Sequence, residues 1–267
     1  MASIAEVFAT AQAERRAALI GYLPSGFPTL AEGIALARAI VEGGVDIVEV
    51  GLPYSDPLMD GPTIQAAVQQ SLDNGSSLAG VFETVAEVAK TGAPTLIMSY
   101  WNPIERSGCD AFAARLAAAG GAGVITPDII PEEAADWVAA TDAHGIDRVF
   151  LVAPSSTPER IAAVSAISNG FVYAASTMGV TGARATVGSQ ARELVGRVRA
   201  ETTAPVAVGL GVSSGRQAAE VAGYADGVIV GSAFVARIQA AATHADALAS
   251  VRELAAELAD GVRRRSA

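Results

Sequence analysis

Short apolar runs rich in β-branched residues recur along this chain, and each is followed by a segment with helical patterning. Runs of this kind between turn residues are typical of strands buried on both faces, as in parallel sheets. They fall at residues 17–23, 46–51, 95–100, 123–126, 148–153, 171–176, 205–209 and 227–230. Eight parallel strand-then-helix units predict a closed (β/α)8 TIM barrel.

The whole chain, residues 1–267, is expected to form this one domain, because no shift in composition marks a linker. Extra helices are expected at the N-terminus, at residues 3–16, and inserted after the second unit, at residues 78–90. A doubly wound open sheet is the alternative, but its glycine fingerprint should follow the first strand. The sequence there is Leu-Pro-Ser-Gly, at 23–26.

Charge and hydropathy argue against two kinds of partner. Acidic residues outnumber basic ones by 28 to 18, a net charge of −10, which disfavours a nucleic-acid backbone as the main partner. Hydrophobic residues make up 51% of the chain. No apolar run approaches the ~18 residues that a membrane span needs, so no membrane partner is expected.

The few cysteine and histidine residues limit the redox and metal chemistry. A single cysteine, Cys109, excludes an internal disulfide and suits a reducing compartment. Only His144 and His244 could join it, so a zinc site is not expected. The N-terminus has no basic-then-apolar signal pattern, and a cytoplasmic location is therefore expected.

An acidic residue interrupts the second predicted strand near its end. Alternation puts Ile47, Glu49 and Gly51 on the face toward the barrel axis. It puts Val48 and Val50 on the face toward the helices. An ionised carboxylate in an apolar interior is costly unless it is paired or its pKa rises.

The loop after this strand carries further carboxylates, including Asp56 and Asp60. One acid at a strand end and another on the loop above it suit two-step acid/base chemistry. Glu49 could instead be a salt-bridged structural residue, and loop aspartates are often caps or turns. The barrel context favours catalysis, because barrel active sites lie at the C-terminal ends of the strands.

Glycine-rich loops follow the last three predicted strands, at residues 179–182, 209–211 and 231–232. The latter two come directly before helices, whose free N–H groups bind anions, and glycine allows close approach. Each loop alone could be only a tight turn. Together, at one mouth of a barrel, they predict a phosphate site.

These segments together resemble the tryptophan synthase alpha subunit family. The resemblance lies in V-E-V-G-L-P-Y-S-D-P-L-M-D-G-P-T-I-Q at 48–65, F-V-Y-A-A-S-T-M-G-V-T-G-A-R at 171–184, G-L-G-V-S-S at 209–214 and V-I-V-G-S-A at 228–233. It covers nearly the whole chain. Two departures are Tyr54, where the family often has Phe, and a segment at 127–133 that is one residue longer than usual.

The resemblance implies a lyase of tryptophan biosynthesis that splits indole-3-glycerol phosphate into indole and glyceraldehyde 3-phosphate by a retro-aldol reaction. It implies that Glu49 is the acid/base and that Asp60 stabilises charge at the indole N–H. The residues it places around the indole and glycerol parts are Tyr22, Met98, Tyr100, Ile125, Tyr173, Thr181 and Leu210. Those it places around the phosphate are Gly182, Gly211, Gly231 and Ser232.

The resemblance also implies a partner. The family works with a beta subunit that carries pyridoxal phosphate, in an alpha2beta2 heterotetramer. Nothing in this chain resembles a site for that cofactor, so neither cofactor nor metal is expected. The loops at 52–62 and 177–190 would face or sense the partner, and the second would be mobile in the empty protein.

Two other functions share some of these features. A flavin-phosphate barrel oxidoreductase would have the same phosphate corner. A non-catalytic partner subunit could keep the barrel, but it would not need both Glu49 and Asp60.

Overall fold

Eight parallel strands form a closed barrel in which each strand pairs with the next and β8 returns to β1. This is a computed structural model, and it describes residues 2–175, 184–209 and 211–264. The strands are β1 (Ala18–Pro24), β2 (Ile47–Gly51), β3 (Thr95–Met98), β4 (Gly123–Thr126), β5 (Asp147–Val152), β6 (Val172–Ala175), β7 (Val206–Gly209) and β8 (Gly227–Val230). The predicted (β/α)8 barrel is confirmed.

Helices surround the barrel, and most of them fall where their patterning predicts. They are α1 (Ile4–Ala13), α2 (Leu30–Glu42), α3 (Pro62–Asp73), α4 (Leu78–Ala89), α5 (Trp101–Ser107), α6 (Cys109–Ala118), α7 (Ala135–His144), α8 (Pro158–Ile167), α9 (Arg184–Glu201), α10 (Gly215–Ala222), α11 (Ser232–Ala240) and α12 (His244–Arg263). No helix in these described ranges is long and apolar enough to cross a membrane.

Three helix boundaries differ from the sequence-based expectation. The segment between β3 and α6 contains α5, whose first N–H is capped by the carboxylate of Asp128, a residue 27 positions away. Pro131–Glu133 form a separate 3-10 turn ahead of α7. Helix α9 begins at Arg184 rather than near residue 190, so Gly188 lies inside the helix. A glycine inside a helix costs only about 1 kcal/mol, which is too little to prevent the helix from starting earlier.

Side chains of the strands alternate between two apolar layers, as predicted. Ile47 belongs to the cluster inside the barrel, whereas Val48 and Val50 pack in the outer cluster against the helices. Helix α1 closes the barrel at the end where the strands begin, and the rings of Phe8 and Phe171 pack there in a tilted arrangement with centroids 5.6 Å apart. The opposite mouth, at the C-terminal ends of the strands, is therefore the end available for a site.

A buried ion pair fixes the register of β1 and β2. The Arg16 guanidinium donates to both carboxylate oxygens of Asp46, at 2.7 and 3.0 Å, and Asp46 also accepts from the Leu19 N–H. Arg16 is 8% exposed, so this bidentate contact is shielded from water. The resulting register places Tyr22 directly beside Glu49 at the opposite end of the strands.

Candidate active site

Glu49 lies inside the barrel near the end of β2, between Tyr22 on β1 and Leu96 on β3. Its side chain is 1% exposed, and Oε1 has no hydrogen-bond partner among the described residues. Burial without a compensating partner raises the pKa of Glu49 to about 8. The carboxyl group is therefore mainly protonated at neutral pH and can act as an acid.

Two tyrosine rings lie beside this carboxyl group because three glycines leave room for them. A side chain on Gly51 would collide with the Tyr22 ring, and a Cβ on Gly231 would lie 3.0 Å from its Cδ1. In the same way, a side chain on Gly209 would collide with the Tyr173 ring. The two phenols thus lie across the ends of strands β2, β7 and β8.

Both phenols are held in their neutral form. Burial raises the pKa of Tyr22 and of Tyr173 well above the usual range, and the charges of Asp60 and Glu49 raise both further. Each hydroxyl is therefore available as a hydrogen-bond donor. Their shared interaction with both acids places Glu49 and Asp60 at the same mouth.

Asp60 is half-buried on the loop after β2, next to Tyr100. Burial raises the pKa of Asp60, and a hydrogen bond from the Tyr100 side chain lowers it in part. The Asp60 carbonyl oxygen accepts a bond of 2.7 Å from the side-chain amide of Gln65 in α3. The loop is thus attached both to the barrel and to the helix that follows it.

The remaining predicted pocket residues divide into two groups. Ile125 is fully buried in the cluster inside the barrel, and Met98 is partly buried against that cluster, below the mouth. Thr181, Gly182 and Leu210 lie outside the described residues. The predicted mobile loop at 177–190 also lies largely outside them, since its described part is the start of α9.

The predicted phosphate corner contains an exposed glycine and the start of a helix. Gly211 has a left-handed φ of +63°, and among the described residues beyond its chain neighbours no atom lies within 4 Å of where its Cβ would be. Gly231 is the N-cap of α11 and Ser232 is its first residue. Since a glycine cap has no side chain to occupy the first N–H groups, this helix start can accept an anion.

The structure adds residues that sequence reasoning did not select. Asp128, two residues after the end of β4, caps α5 by accepting a bond of 2.8 Å from the Trp101 N–H. Tyr54 stacks on Tyr100 with ring centres 5.4 Å apart, and its hydroxyl accepts from Asn102 at 3.0 Å. An acid at the end of a strand was a usable signal for Asp128, whereas nothing in the sequence signals the ring pair.

Large hydrophobic side chains stand exposed at three positions in the described part of the chain. These are Leu58 at 76%, Met59 at 42% and Ile130 at 46%. The first two are on the loop after β2 and the third is in the longer segment after β4, where Ile129 is buried. Exposed apolar groups of this kind mark interaction surfaces.

The chain was compared with known families, curated proteins and solved structures. The family model described as tryptophan synthase alpha chain matches residues 8–263. The tryptophan synthase alpha chain of Mycobacteroides abscessus is 59% identical over 98% of this chain and 97% of its own length. That of Nocardia farcinica is 59% identical over 97% and 96%.

Solved structures agree. A structure of Mycobacterium tuberculosis tryptophan synthase in space group F222 superimposes with a TM-score of 0.91, at 55% identity, covering 98% of this chain and 99% of that one. The tryptophan synthase subunit alpha of Legionella pneumophila gives a TM-score of 0.88 at 30% identity, covering 98% of both chains.

Proposed function

This chain belongs to the tryptophan synthase alpha chain family, and on that premise we propose that Glu49 and Asp60 carry out its cleavage of indole-3-glycerol phosphate. The family performs this lyase reaction in tryptophan biosynthesis and works with a beta subunit. The observation that carries the proposal is the burial of the Glu49 carboxyl group at the mouth of the barrel, where Oε1 has no hydrogen-bond partner among the described residues and burial raises the pKa to about 8.

The first step is transfer of the Glu49 proton to C3 of the indole ring. This converts the ring to an indoleninium ion, whose positive charge is centred on the nitrogen. Asp60 stabilises this charge by accepting a hydrogen bond from the ring N–H. Two carboxyl groups in different surroundings, one neutral and one ionised, are a recurring arrangement for such chemistry.

In the second step the Glu49 carboxylate takes the proton of the glycerol C3′ hydroxyl. The bond between C3 and C3′ breaks, and its electron pair returns to the ring and neutralises the indoleninium ion. The products are indole and glyceraldehyde 3-phosphate. Glu49 ends the cycle protonated, as it began, so no external acid or base is consumed.

The other residues hold the substrate. The residues assigned to the indole pocket are Tyr22, Met98, Tyr100, Ile125 and Leu210. Tyr173 reaches the glycerol chain, and Thr181 holds Asp60 once substrate is bound. Gly182, Gly211, Gly231 and Ser232 hold the phosphate, supported by the uncapped start of α11.

The beta subunit docks over the mouth, in an alpha2beta2 assembly. The exposed side chains of Leu58, Met59 and Ile130 support this location, because they lie on the segments that follow β2 and β4 at the C-terminal ends of the strands. The chain acts as one domain, in the cytoplasm.

Indole release from indole-3-glycerol phosphate tests the proposal. Glu49→Gln keeps the shape of the side chain and loses both proton transfers, so turnover should fall by at least about 10²–10⁴. The control Glu253→Gln, at an exposed position on α12, should leave turnover unchanged. Turnover by Glu49→Gln within tenfold of the wild type would refute the assignment.

A further inference from the structure

We propose that Tyr100 is a positioning residue for Asp60, and that its hydroxyl joins this carboxylate to the backbone of the exposed residues Leu58 and Met59. The inference rests on the proposed role of Asp60. It assigns Tyr100 a function beyond contact with the indole ring, since it would act on the reaction through Asp60.

The hydrogen bonds at the Tyr100 hydroxyl have only one consistent direction. The backbone N–H groups of Leu58 and Met59 approach its oxygen at 3.1 and 3.0 Å, and N–H groups can only donate. The oxygen therefore accepts twice and keeps one proton to donate. Asp60 follows Met59 directly in the chain, and the interaction of its carboxyl group with the Tyr100 side chain lowers the pKa of Asp60. A carboxylate can only accept, so Tyr100 is the donor in this interaction.

Tyr100 is itself held firmly, so its hydroxyl has a fixed position. The residue is 5% exposed and lies between β3 and α5, for which it is the N-cap. The Ser99 hydroxyl donates to the Tyr100 carbonyl at 2.8 Å, and Asp128 fixes the next N–H. Its ring packs on that of Tyr54.

The Tyr100 hydroxyl also contacts the exposed part of the loop after β2, which is accessible to a partner. Leu58 and Met59 turn their side chains outward, at 76% and 42% exposure, while their N–H groups turn inward to Tyr100. Asp60 is the next residue in the chain. A partner that binds the side chains of Leu58 and Met59 therefore displaces the peptide groups that Tyr100 binds. The orientation of Asp60, the next residue, changes with them.

The neutral state of Tyr100 supports this arrangement. Burial raises the pKa of Tyr100 to about 12, with the charge of Asp60 acting in the same direction, so the donated proton is present at every physiological pH. An ionised phenol would repel the carboxylate that it is meant to hold.

The test is Tyr100→Phe, which keeps the ring and the packing on Tyr54 and removes only the hydroxyl. Because hydrogen bonds to charged groups are among the stronger ones, kcat for indole release should fall on the order of tenfold or more. KM should stay within about threefold, since substrate contacts are retained. The matched control Tyr54→Phe removes a hydroxyl from the neighbouring ring and should keep kcat of the chain alone within about twofold.

Asp60→Asn, measured in parallel, separates this inference from the proposed function. If Asp60→Asn is impaired and Tyr100→Phe keeps kcat within twofold, the positioning role is wrong while the role of Asp60 stands. A Tyr100→Phe variant changed only in KM would also overturn it. If Asp60→Asn retains full kcat, both proposals fail.

The coupling to the partner has its own readout. The factor by which the beta subunit raises kcat should be smaller for Tyr100→Phe than for the wild type. The variant lacks the hydroxyl that connects the backbone of Leu58 and Met59 to Asp60. It should be unchanged for Glu253→Gln. An equal factor in Tyr100→Phe and wild type would overturn the coupling.

Discussion

The stability of Glu49→Gln relative to the wild type should increase as the pH rises. In the unfolded chain the Glu49 carboxyl group titrates near its ordinary pKa of 4.5, whereas in the barrel its pKa is about 8. Between these values the unfolded chain loses the proton and the folded protein keeps it. The wild type therefore becomes less stable with rising pH in this interval, and the loss levels off above pH 8.

The size of the effect follows from the shift. Between pH 4.5 and about pH 8, each pH unit lowers the free energy of unfolding of the wild type by about 1.4 kcal/mol. The reason is that the unfolded chain releases a proton that the folded protein keeps. The penalty is between about 1 and 2 kcal/mol at pH 5.5 and about 4 kcal/mol at pH 7.5. A glutamine does not titrate, so the variant is free of this penalty at both values.

Urea denaturation of both proteins at pH 5.5 and pH 7.5 measures the difference. The free energy of unfolding of Glu49→Gln, relative to wild type, should increase by about 2–3 kcal/mol between the two pH values. The buried amide of glutamine also lacks a partner, but that cost is the same at both pH values and cancels. The exposed-site control Glu253→Gln should show no such increase. A difference that stays constant or shrinks with pH would refute the reasoning.

Further predictions concern the reaction itself. Asp60→Asn should lower kcat far more than it raises KM, because the charge that Asp60 meets exists mainly in the transition state; steady-state kinetics would expose an effect confined to KM. Ser232→Ala should raise KM only a few-fold, and Ser232→Asp should raise it much more, because a carboxylate at the start of α11 repels the phosphate; equal KM values would place the phosphate elsewhere. The profile of kcat/KM against pH should fall above about pH 8, as the free enzyme loses the Glu49 proton, and a flat profile to pH 9 would argue against Glu49 as the acid.

The barrel was predictable because its signal is repeated and local. A buried parallel strand must be apolar on both faces, so each of the eight strands is visible without knowledge of the others. The same alternation that places Ile47 inside and Val48 outside also turns Glu49 toward the axis. The isolation of its carboxyl group, and with it the raised pKa, depends on Tyr22 and Leu96 on neighbouring strands, which the sequence of β2 does not contain.

Contacts between distant loops were not predictable from local patterns. Helix α5 depends on Asp128, which lies beyond the whole of the next strand. The bonds from Leu58 and Met59 to Tyr100 span about forty positions and involve backbone groups, which every residue has. Gly231 was predicted for the phosphate site, and the structure gives its small size a separate reason, because a Cβ there would lie 3.0 Å from Cδ1 of the Tyr22 ring. Gly231→Val would therefore displace the Tyr22 ring as well as block the phosphate, so this substitution cannot isolate phosphate binding.

The central claim is that burial keeps Glu49 protonated at neutral pH, ready to protonate the indole ring. Labelling glutamate side-chain carboxyl carbons with ¹³C and following their resonances with pH tests this claim directly, with Glu49→Gln assigning the signal by its disappearance. The Glu49 resonance should report a protonated carboxyl group at pH 7 and titrate with a midpoint near pH 8. A midpoint at or below about pH 5, as for an ordinary glutamate, would contradict it.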